Sequence, residues 1–598
     1  RIARRLTMVT QRRTRSEFAV DQSNDPVWKA EIDNFEKEAK AWRAGGGLGD
    51  DFRPFRLQHG TYGQRQADRQ MMRIKVPHGT MTPEQLHAVA EVAELYAPRK
   101  LGHVTTRQAI QLHFVMLEDA PKVMRRLAEV GMTTREACGN TVRNVTADPL
   151  SGIAEDCVFD ITPYAEAAMR YFLRNPVNQK LPRKFKISYS ASEADRGLVP
   201  MHDMGLMAVK QDGREGFRLA VGGGLGAAPR MADVLADFIP VEEQLRSIEA
   251  AIRVWDRMGE RRNKNKARIK FLIAKMGIDE FRRLWEIELA TLPAAFDERY
   301  RDPDLTLIEE APVTGSYASR NGGPVPEREG FDVFRRTNVI RQAQPGWNTV
   351  QVLLPIGDAT CDQLHALADI AAKYANGHVR TSAAQNFVLR WVHDDDLVAT
   401  HAALVDIGLA EAHAMTISDV ITCPGADTCS IGVTSSKGLG TELRDRILGS
   451  NGKYRDPLVN DIHVKISGCP NSCGQHHIAD IGFYGMAIRM GDRQVPAFQL
   501  LLGGHAHGKG RIGKITMKLP ARYIPDAFEK LVDTYVAERN DGEQFAAWAD
   551  RAGTPHIQEA LAEYKIVPEF NRDPMAYVDW GQSKFFTLDD MGEGECAV

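Results

Sequence analysis

Four cysteines carry the strongest chemical signal in the chain. They fall in two tight pairs, Cys423 and Cys429 in "ITCPGADTCS" and Cys469 and Cys473 in "SGCPNSCGQHH", and a proline follows the first cysteine of each pair. The spacing is C-x5-C, thirty-nine intervening residues, then C-x3-C. Structural zinc is usually gripped by C-x2-C or C-x4-C turns that bring two sulfurs onto one ion, and neither pair has that spacing. A cubane iron-sulfur cluster has wider corners, and four thiolates satisfy its four irons. The pattern therefore favours iron-sulfur over zinc, with buried structural cysteines a third reading. The other four cysteines, Cys138, Cys157, Cys361 and Cys596, are scattered. Eight in all are too few for a disulfide scaffold, and such usage fits a reducing compartment.

Cations form the second signal. Lys184 and Lys186 stand at i, i+2 in "PRKFKIS", so on a strand both point to one side, toward a shared anion. A solvent-facing edge strand protected by lysines is the plainer reading of that pair alone. The stretch 261–277, "RRNKNKARIKFLIAKMG", reads equally as a solvated helix face or as an anion-binding element. "GGGLGA" at Gly222 follows a strand, but a lone glycine cluster is weak evidence for a nucleotide, and close backbone approach explains it better. His476 and His477 follow the second cysteine pair; proton relay is one reading, and capping or solvating a helix start is the commoner one.

The elements that position these residues come in duplicate. "MMRIKVPHGTMTPEQLHAVAEVAELYA" from Met71 and "TVQVLLPIGDATCDQLHALADIAAKYA" from Thr349 share proline, glycine, threonine, glutamine, leucine and histidine at an offset of 278. Each copy opens with a short alternating strand and then offers a capping box, Thr82 with Gln85 and Thr360 with Gln363, with Pro83 at the first helical position. Leu86, Val89, Ala93 and Tyr96 then mark one helical face. Another strand follows in "GHVTTRQAIQLHFV" and "GHVRTSAAQNFVLRWV", making each copy a β-α-β half. The correspondence continues: "RKFKISYS" (183–190) aligns with "IHVKISGC" (462–469) at an offset of 279, and "GFRLAVGGG" (216–224) with "AFQLLLGGH" (497–505).

With 598 residues, 43% apolar and 26% charged, the chain has the make-up of a globular protein of several domains. A net charge of −3 gives no reason to expect nucleic acid or an anionic membrane as partner, and no apolar run reaches the roughly 18 residues a bilayer span requires. Residues 1–16 hold six arginines and no acid. They read as a disordered basic arm in preference to the transit peptide they faintly resemble, with Met8 an alternative start.

"TCPGADTC" with "GCPNSCG" resembles the cluster motif of the sirohaem-dependent sulfite and nitrite reductases, and the ferredoxin-dependent sulfite reductases most. The resemblance spans nearly the whole chain. It implies an α+β, internally duplicated fold: two ferredoxin-like β-α-β halves and two larger mixed α/β sirohaem-binding halves, related by a pseudo-twofold. The expected division is an N-terminal extension (1–60), ferredoxin-like half one (61–130), sirohaem-binding domain one (131–290), a linker (291–345), ferredoxin-like half two (346–412), the sirohaem and cluster domain (413–540) and a C-terminal tail (541–598).

The same resemblance implies a [4Fe-4S] cluster on Cys423, Cys429, Cys469 and Cys473, with Cys473 also the proximal ligand of the sirohaem iron. Arg73, Arg143, Lys184 and Lys186 would ring the substrate anion, while Arg107, Gln111, Arg183 and Asn471 would contact the sirohaem carboxylates. Copy two has Ala383, Ala384 and Gln385 where copy one reads Thr106, Arg107 and Gln108, so copy one supplies charge and copy two supplies thiolates. Tyr62 in "HGTYGQ" and Cys138 in "EACGNTVRNV" match a pair that is covalently joined in some ferredoxin-dependent relatives. Plant nitrite reductases tend to carry asparagine where this chain has Lys186, which points to six-electron reduction of sulfite to sulfide. Reduction of nitrite to ammonia is the alternative, and a non-catalytic iron-sulfur protein a remote one. No FAD or NADPH motif is visible, so the expected donor is ferredoxin or a separate flavoprotein subunit, and the expected location is cytoplasmic.

Overall fold

The computed structural model describes residues 20–295, 297, 300, 319–321, 323–450, 452–592 and 595. The arginine-rich start, Cys596 and much of 297–330 lie outside the described residues.

Both capping boxes form. Thr82 Oγ1 accepts from the Gln85 amide at 3.2 Å while Gln85 Oε1 accepts from the Thr82 amide at 3.1 Å. Thr360 and Gln363 repeat the exchange at 3.1 and 3.0 Å. They open helices Pro83–Tyr96 and Cys361–Tyr374, which pack against one another. Leu86, Val89 and Ala93 are fully buried on the expected face, and Tyr96 is half-buried. Losing such a cap costs about 1 kcal/mol. Thr82→Ala should therefore let the Gln85 amide exchange with deuterium roughly fivefold faster, and unchanged exchange would mean the cap contributes nothing.

The segment read as one strand in each copy is a hairpin. Leu101–Val104 and Ile110–Met116 pair antiparallel, as do Val379–Thr381 and Phe387–His393. The turns between them hold Gln108 and Gln385 at φ 58° and 66°, so Arg107 sits on a turn and not within a strand. Gln108 Oε1 accepts from the Ala147 amide, and Gln385 Oε1 from the Thr422 amide, each tying its turn to the first strand of a larger sheet.

Neither ferredoxin-like half completes its own sheet. Asp358–Thr360 of the second copy joins Leu101–Val104 of the first, and Thr80–Met81 of the first joins Val379–Thr381 of the second. One hydrophobic core is shared by both halves, and it also takes in Phe35 of helix Pro26–Arg43 and Phe334 of helix Phe331–Asn338. Those helices fall in stretches assigned above to the extension and to the linker. They are part of the packed body, because their apolar faces close this core. Helix Phe545–Ala560, within the expected tail, likewise buries Phe545, Trp548 and Ile557 in the second large domain.

The two larger domains repeat one five-stranded plan. Thr146–Ala147, Ile187–Ser190 and Met204–Gln211 run parallel, then Arg214–Val221 and Asp233–Pro240 return antiparallel. Ile421–Thr422, Val464–Ser467, Ile481–Met490, Arg493–Leu502 and Lys514–Pro520 do the same. "GGGLGA" and its mate "GGHAHG" are matching turns, closed by backbone pairs Gly224–Arg230 and His505–Arg511. A Cβ at Gly223 would stand 2.3 Å from the Pro200 carbonyl oxygen, so close approach explains the glycine. Among the described residues no helix is long and apolar enough to cross a membrane.

Candidate active site

Cys423 follows strand Ile421–Thr422 and Cys469 follows Val464–Ser467; these strands are parallel neighbours, so both cysteine pairs emerge at the same sheet end. Tight packing brings the loops together. The Gly468 amide donates to Cys423 Sγ at 3.3 Å, and a Cβ at Gly468 would meet Gly425 Cα at 2.6 Å. Ser436 Oγ lies 3.4 Å from the same sulfur. Burial pushes the Cys423 and Cys469 thiols up; the field of Cys473 adds to both, and Cys423 and Cys429 add further to Cys469. Buried thiols such as Cys423 and Cys469 become thiolates most readily when a cationic group binds them.

The cations of copy one form clusters of their own. Arg73 and Arg143 both donate to the Ala137 carbonyl, at 3.3 and 3.2 Å. Arg143 also donates to Gly139 O at 2.9 Å and to the Tyr62 hydroxyl at 3.3 Å. Arg73 lies over the Tyr62 ring, 5.5 Å from its centre, with Nη1 3.7 Å from Cys138 Sγ. Gln111 is its cross-strand neighbour and, with the amide turned to suit its surroundings, accepts from Arg73 at 3.1 and 2.6 Å. Tyr62, Cys138, Leu57 and Met71 form one buried cluster.

Lys184 and Lys186 flank Phe185, whose side chain is fully buried. They precede strand Ile187–Ser190, which has a neighbour on each side, and Phe185 between them makes a parallel bridge with Val142. The edge-strand reading is thereby corrected: the strand they lead into is internal, and the lysines are half-buried just before it. Burial, then Arg107, Arg268 and Lys184, drive the Lys186 ammonium well below the ordinary lysine range, with Asp203 opposing. Arg107 donates to Asn144 O, while its Nη1 is buried without a partner. Burial brings its pKa down to about 9. Arg183 is buried as well.

The two copies meet at the Arg107 turn. Thr106 Oγ1 donates to Cys473 O at 2.8 Å, and Gln475 Nε2 donates to Thr106 O at 3.2 Å. Cys473 and Asn471 are both exposed on this loop, and a Cβ at Gly226 would come within 3.9 Å of Asn471 O. The structure thus joins Arg73, Arg143, Gln111, Tyr62 and Cys138 in one cluster, Lys186, Lys184 and Arg107 in a second, and links Arg107 to the cysteine loop through Thr106.

Sequence reasoning did not single out Arg268, Lys270 or Asp203. Arg268 grips Asp203 at 3.1 and 2.7 Å, and Asp203 accepts from the Lys186 amide at 3.0 Å. Lys270 donates to Gly224 O at 3.2 Å, Leu225 O at 3.0 Å and Ala228 O. Both cations come from the basic stretch 261–277, whose first part is exposed and whose residues 267–270 turn inward. The signal was present: Ile269 and Leu272 mark an apolar face that must enter the core and carries its neighbours with it. The glycine loop presents carbonyls to these cations, the reverse of a phosphate cradle. His476 and His477, expected to cap or solvate a helix start, are instead buried, their rings 4.1 Å apart and tilted by 52°, with His477 Nε2 3.0 Å from Gly226 O.

The fold defines a class: an internally duplicated α+β protein in which copy one carries buried clusters of cations and copy two carries two cysteine pairs at one sheet end. The family profile described as "Nitrite and sulphite reductase 4Fe-4S domain" matches residues 138–291 and 414–567, and that described as "Nitrite/Sulfite reductase ferredoxin-like half domain" matches 62–130 and 340–407. The chain is 30% identical over 493 residues to a Mycobacterium tuberculosis (strain H37Rv) protein named sulfite reductase [ferredoxin], covering 81% of this chain and 82% of that one. It is 29% identical over 513 residues to the assimilatory ferredoxin-dependent nitrite reductase of Haloferax mediterranei, with 83% of each covered. Among solved structures, the Mycobacterium tuberculosis NirA protein superposes with a TM-score of 0.74 at 27% identity, over 90% of this chain and 98% of that one. The chain belongs to the nitrite and sulphite reductase family. It is an oxidoreductase that carries a sirohaem and a [4Fe-4S] cluster.

Proposed function

We propose that the chain reduces sulfite to sulfide by six electrons, with ferredoxin as donor. Cys423, Cys429, Cys469 and Cys473 would hold the cluster, and Cys473 would serve the sirohaem as well. Arg107, Gln111, Arg183 and Asn471 hold the sirohaem carboxylates, and the partnerless Nη1 of buried Arg107 supports that assignment. When bound, these groups supply the electrons and the iron at which the anion is held. Arg73, Arg143, Lys184 and Lys186 orient the anion, neutralise its charge and deliver protons to the departing oxygens.

The observation that carries this reading is the set of buried cations beside Lys186: Arg268 grips Asp203, which accepts from the Lys186 amide, and Arg107 keeps a buried Nη1 without a partner. A cluster of that sign favours an anion. Sulfite is preferred over nitrite because Lys186 can carry a proton and with it a positive charge once an anion offsets the repulsion of its neighbours, which a neutral amide cannot. The proposal keeps the domain division given above as a functional one, a cytoplasmic location, a flavoprotein subunit as the alternative donor, and no role for nucleic acid or membrane. A reduced-dye assay tests it: one sulfide should appear for each sulfite and six electrons consumed, and a release of partly reduced sulfur would contradict six-electron reduction.

Tyr62 and Cys138 are proposed to be joined covalently beside this pocket, a reading supported by their shared buried cluster and common contact with Arg73. Peptide mass spectrometry should find the two peptides linked with two hydrogens lost. Recovery of both as separate, unmodified peptides would refute the link.

A further inference from the structure

Lys186 has a mate. The offset of 279 that aligns residues 183–190 with 462–469 sets Lys465 at the matching position of the other copy. In strand Val464–Ser467, Val464 and Ile466 enter the domain core, so Lys465 and Ser467 face the opposite side. On that side lies the loop that carries Cys473. Ser467 Oγ accepts from the Gly474 amide at 3.0 Å, and Lys465 Nζ donates to Gln475 Oε1 at 3.2 Å. Gln475 continues to Thr106 O at 3.2 Å, and Thr106 Oγ1 returns to Cys473 O at 2.8 Å. The two duplicated lysines therefore approach the same turn of copy one, Lys186 near Arg107 and Lys465 through Gln475 and Thr106.

We propose that Lys465 sets the reduction potential of the iron-sulfur group, its fixed positive charge beneath the Cys473 loop favouring the reduced state. The inference rests on the reading that Cys473 is a cluster ligand. Lys465 touches no reacting atom, so it is a tuning residue and not a catalytic one. An added electron raises the negative charge on the thiolate-bound group, and a cation in the poorly screened interior stabilises it. Two carboxylates act on Lys465, and both are engaged elsewhere. Asp480 accepts from the His463 amide at 2.9 Å, and Asp419 from Asn386 at 2.6 Å and the Met415 amide at 2.8 Å. Burial lowers the Lys465 pKa to about 8, which leaves the ammonium mostly charged at neutral pH.

The test is a potentiometric titration of the holoenzyme, followed by the electron paramagnetic resonance signal of the reduced cluster. Lys465→Met removes charge and hydrogen bond; Lys465→Gln removes the charge and keeps a donor for Gln475; Lys465→Arg keeps both. Lys465→Met and Lys465→Gln should each lower the reduced-to-oxidised ratio at the wild-type midpoint about tenfold, which is 59 mV for one electron. Lys465→Arg should return the midpoint toward wild type. A wild-type midpoint in Lys465→Met overturns the inference, as does its restoration by Lys465→Gln, which would assign the effect to the hydrogen bond. Failure of the underlying reading is distinguishable, because Cys473→Ser would then keep the wild-type cluster signal and midpoint.

Discussion

Cys473→Ser is expected to abolish turnover and to remove both a complete iron-sulfur cluster and its electronic coupling to the sirohaem. One sulfur serves two metals in this reading, and an alcohol is a poor ligand for soft iron-sulfur chemistry. The loop should survive the change, because the contacts that seat it come from the Cys473 carbonyl and the Gly474 amide and not from the thiol. The loss is therefore attributable to the ligand. Iron and acid-labile sulfide content, read with the haem spectrum, check it; normal coupling with wild-type turnover would remove Cys473 from the site.

Lys186→Asn is expected to weaken sulfite more than nitrite. Fully deprotonated sulfite carries two charges and three oxygens, whereas nitrite carries one charge and two oxygens, so a charge-assisted contact matters more to sulfite. Asparagine keeps a donor and discards the charge. The lost contact is worth about 1.5 to 3 kcal/mol, or roughly a 12- to 140-fold fall in kcat/KM for sulfite relative to nitrite. The substitution also relieves the repulsion that Arg107, Arg268 and Lys184 exert on Lys186, so the remaining cations should hold the smaller anion nearly as before. An unchanged ratio would show that this lysine does not set specificity.

The repeat made much of the fold legible. Capping boxes at Thr82 and Thr360, an apolar helical face and a constant offset are local patterns, and local patterns are what spacing reports. The exchange of Thr80–Met81 and Asp358–Thr360 between halves was not legible, because two- and three-residue strands have no periodicity to read and their partners lie far along the chain. The turn at Arg107 was hidden for a related reason: "GHVTTRQAIQLHFV" has apolar residues on both sides of it, and only the left-handed Gln108 breaks the run. At the site, the thiols announced themselves by type and spacing. Arg268 and Lys270 did not, since a basic stretch reads alike whether its charges face water or a buried carboxylate such as Asp203; only tertiary packing separates the two. Lys465 was on the page as the aligned mate of Lys186, but its meaning needed the loop that folds over it.

The most direct measurement is kcat/KM of the native enzyme for sulfite and for nitrite, taken in parallel with a reduced dye as donor. The account predicts a clear preference for sulfite, with sulfide as the product, because the pocket around Lys186 is built from cations that act on one another with Asp203 opposing them. A strong preference for nitrite would contradict it and replace sulfite reduction with reduction of nitrite to ammonia.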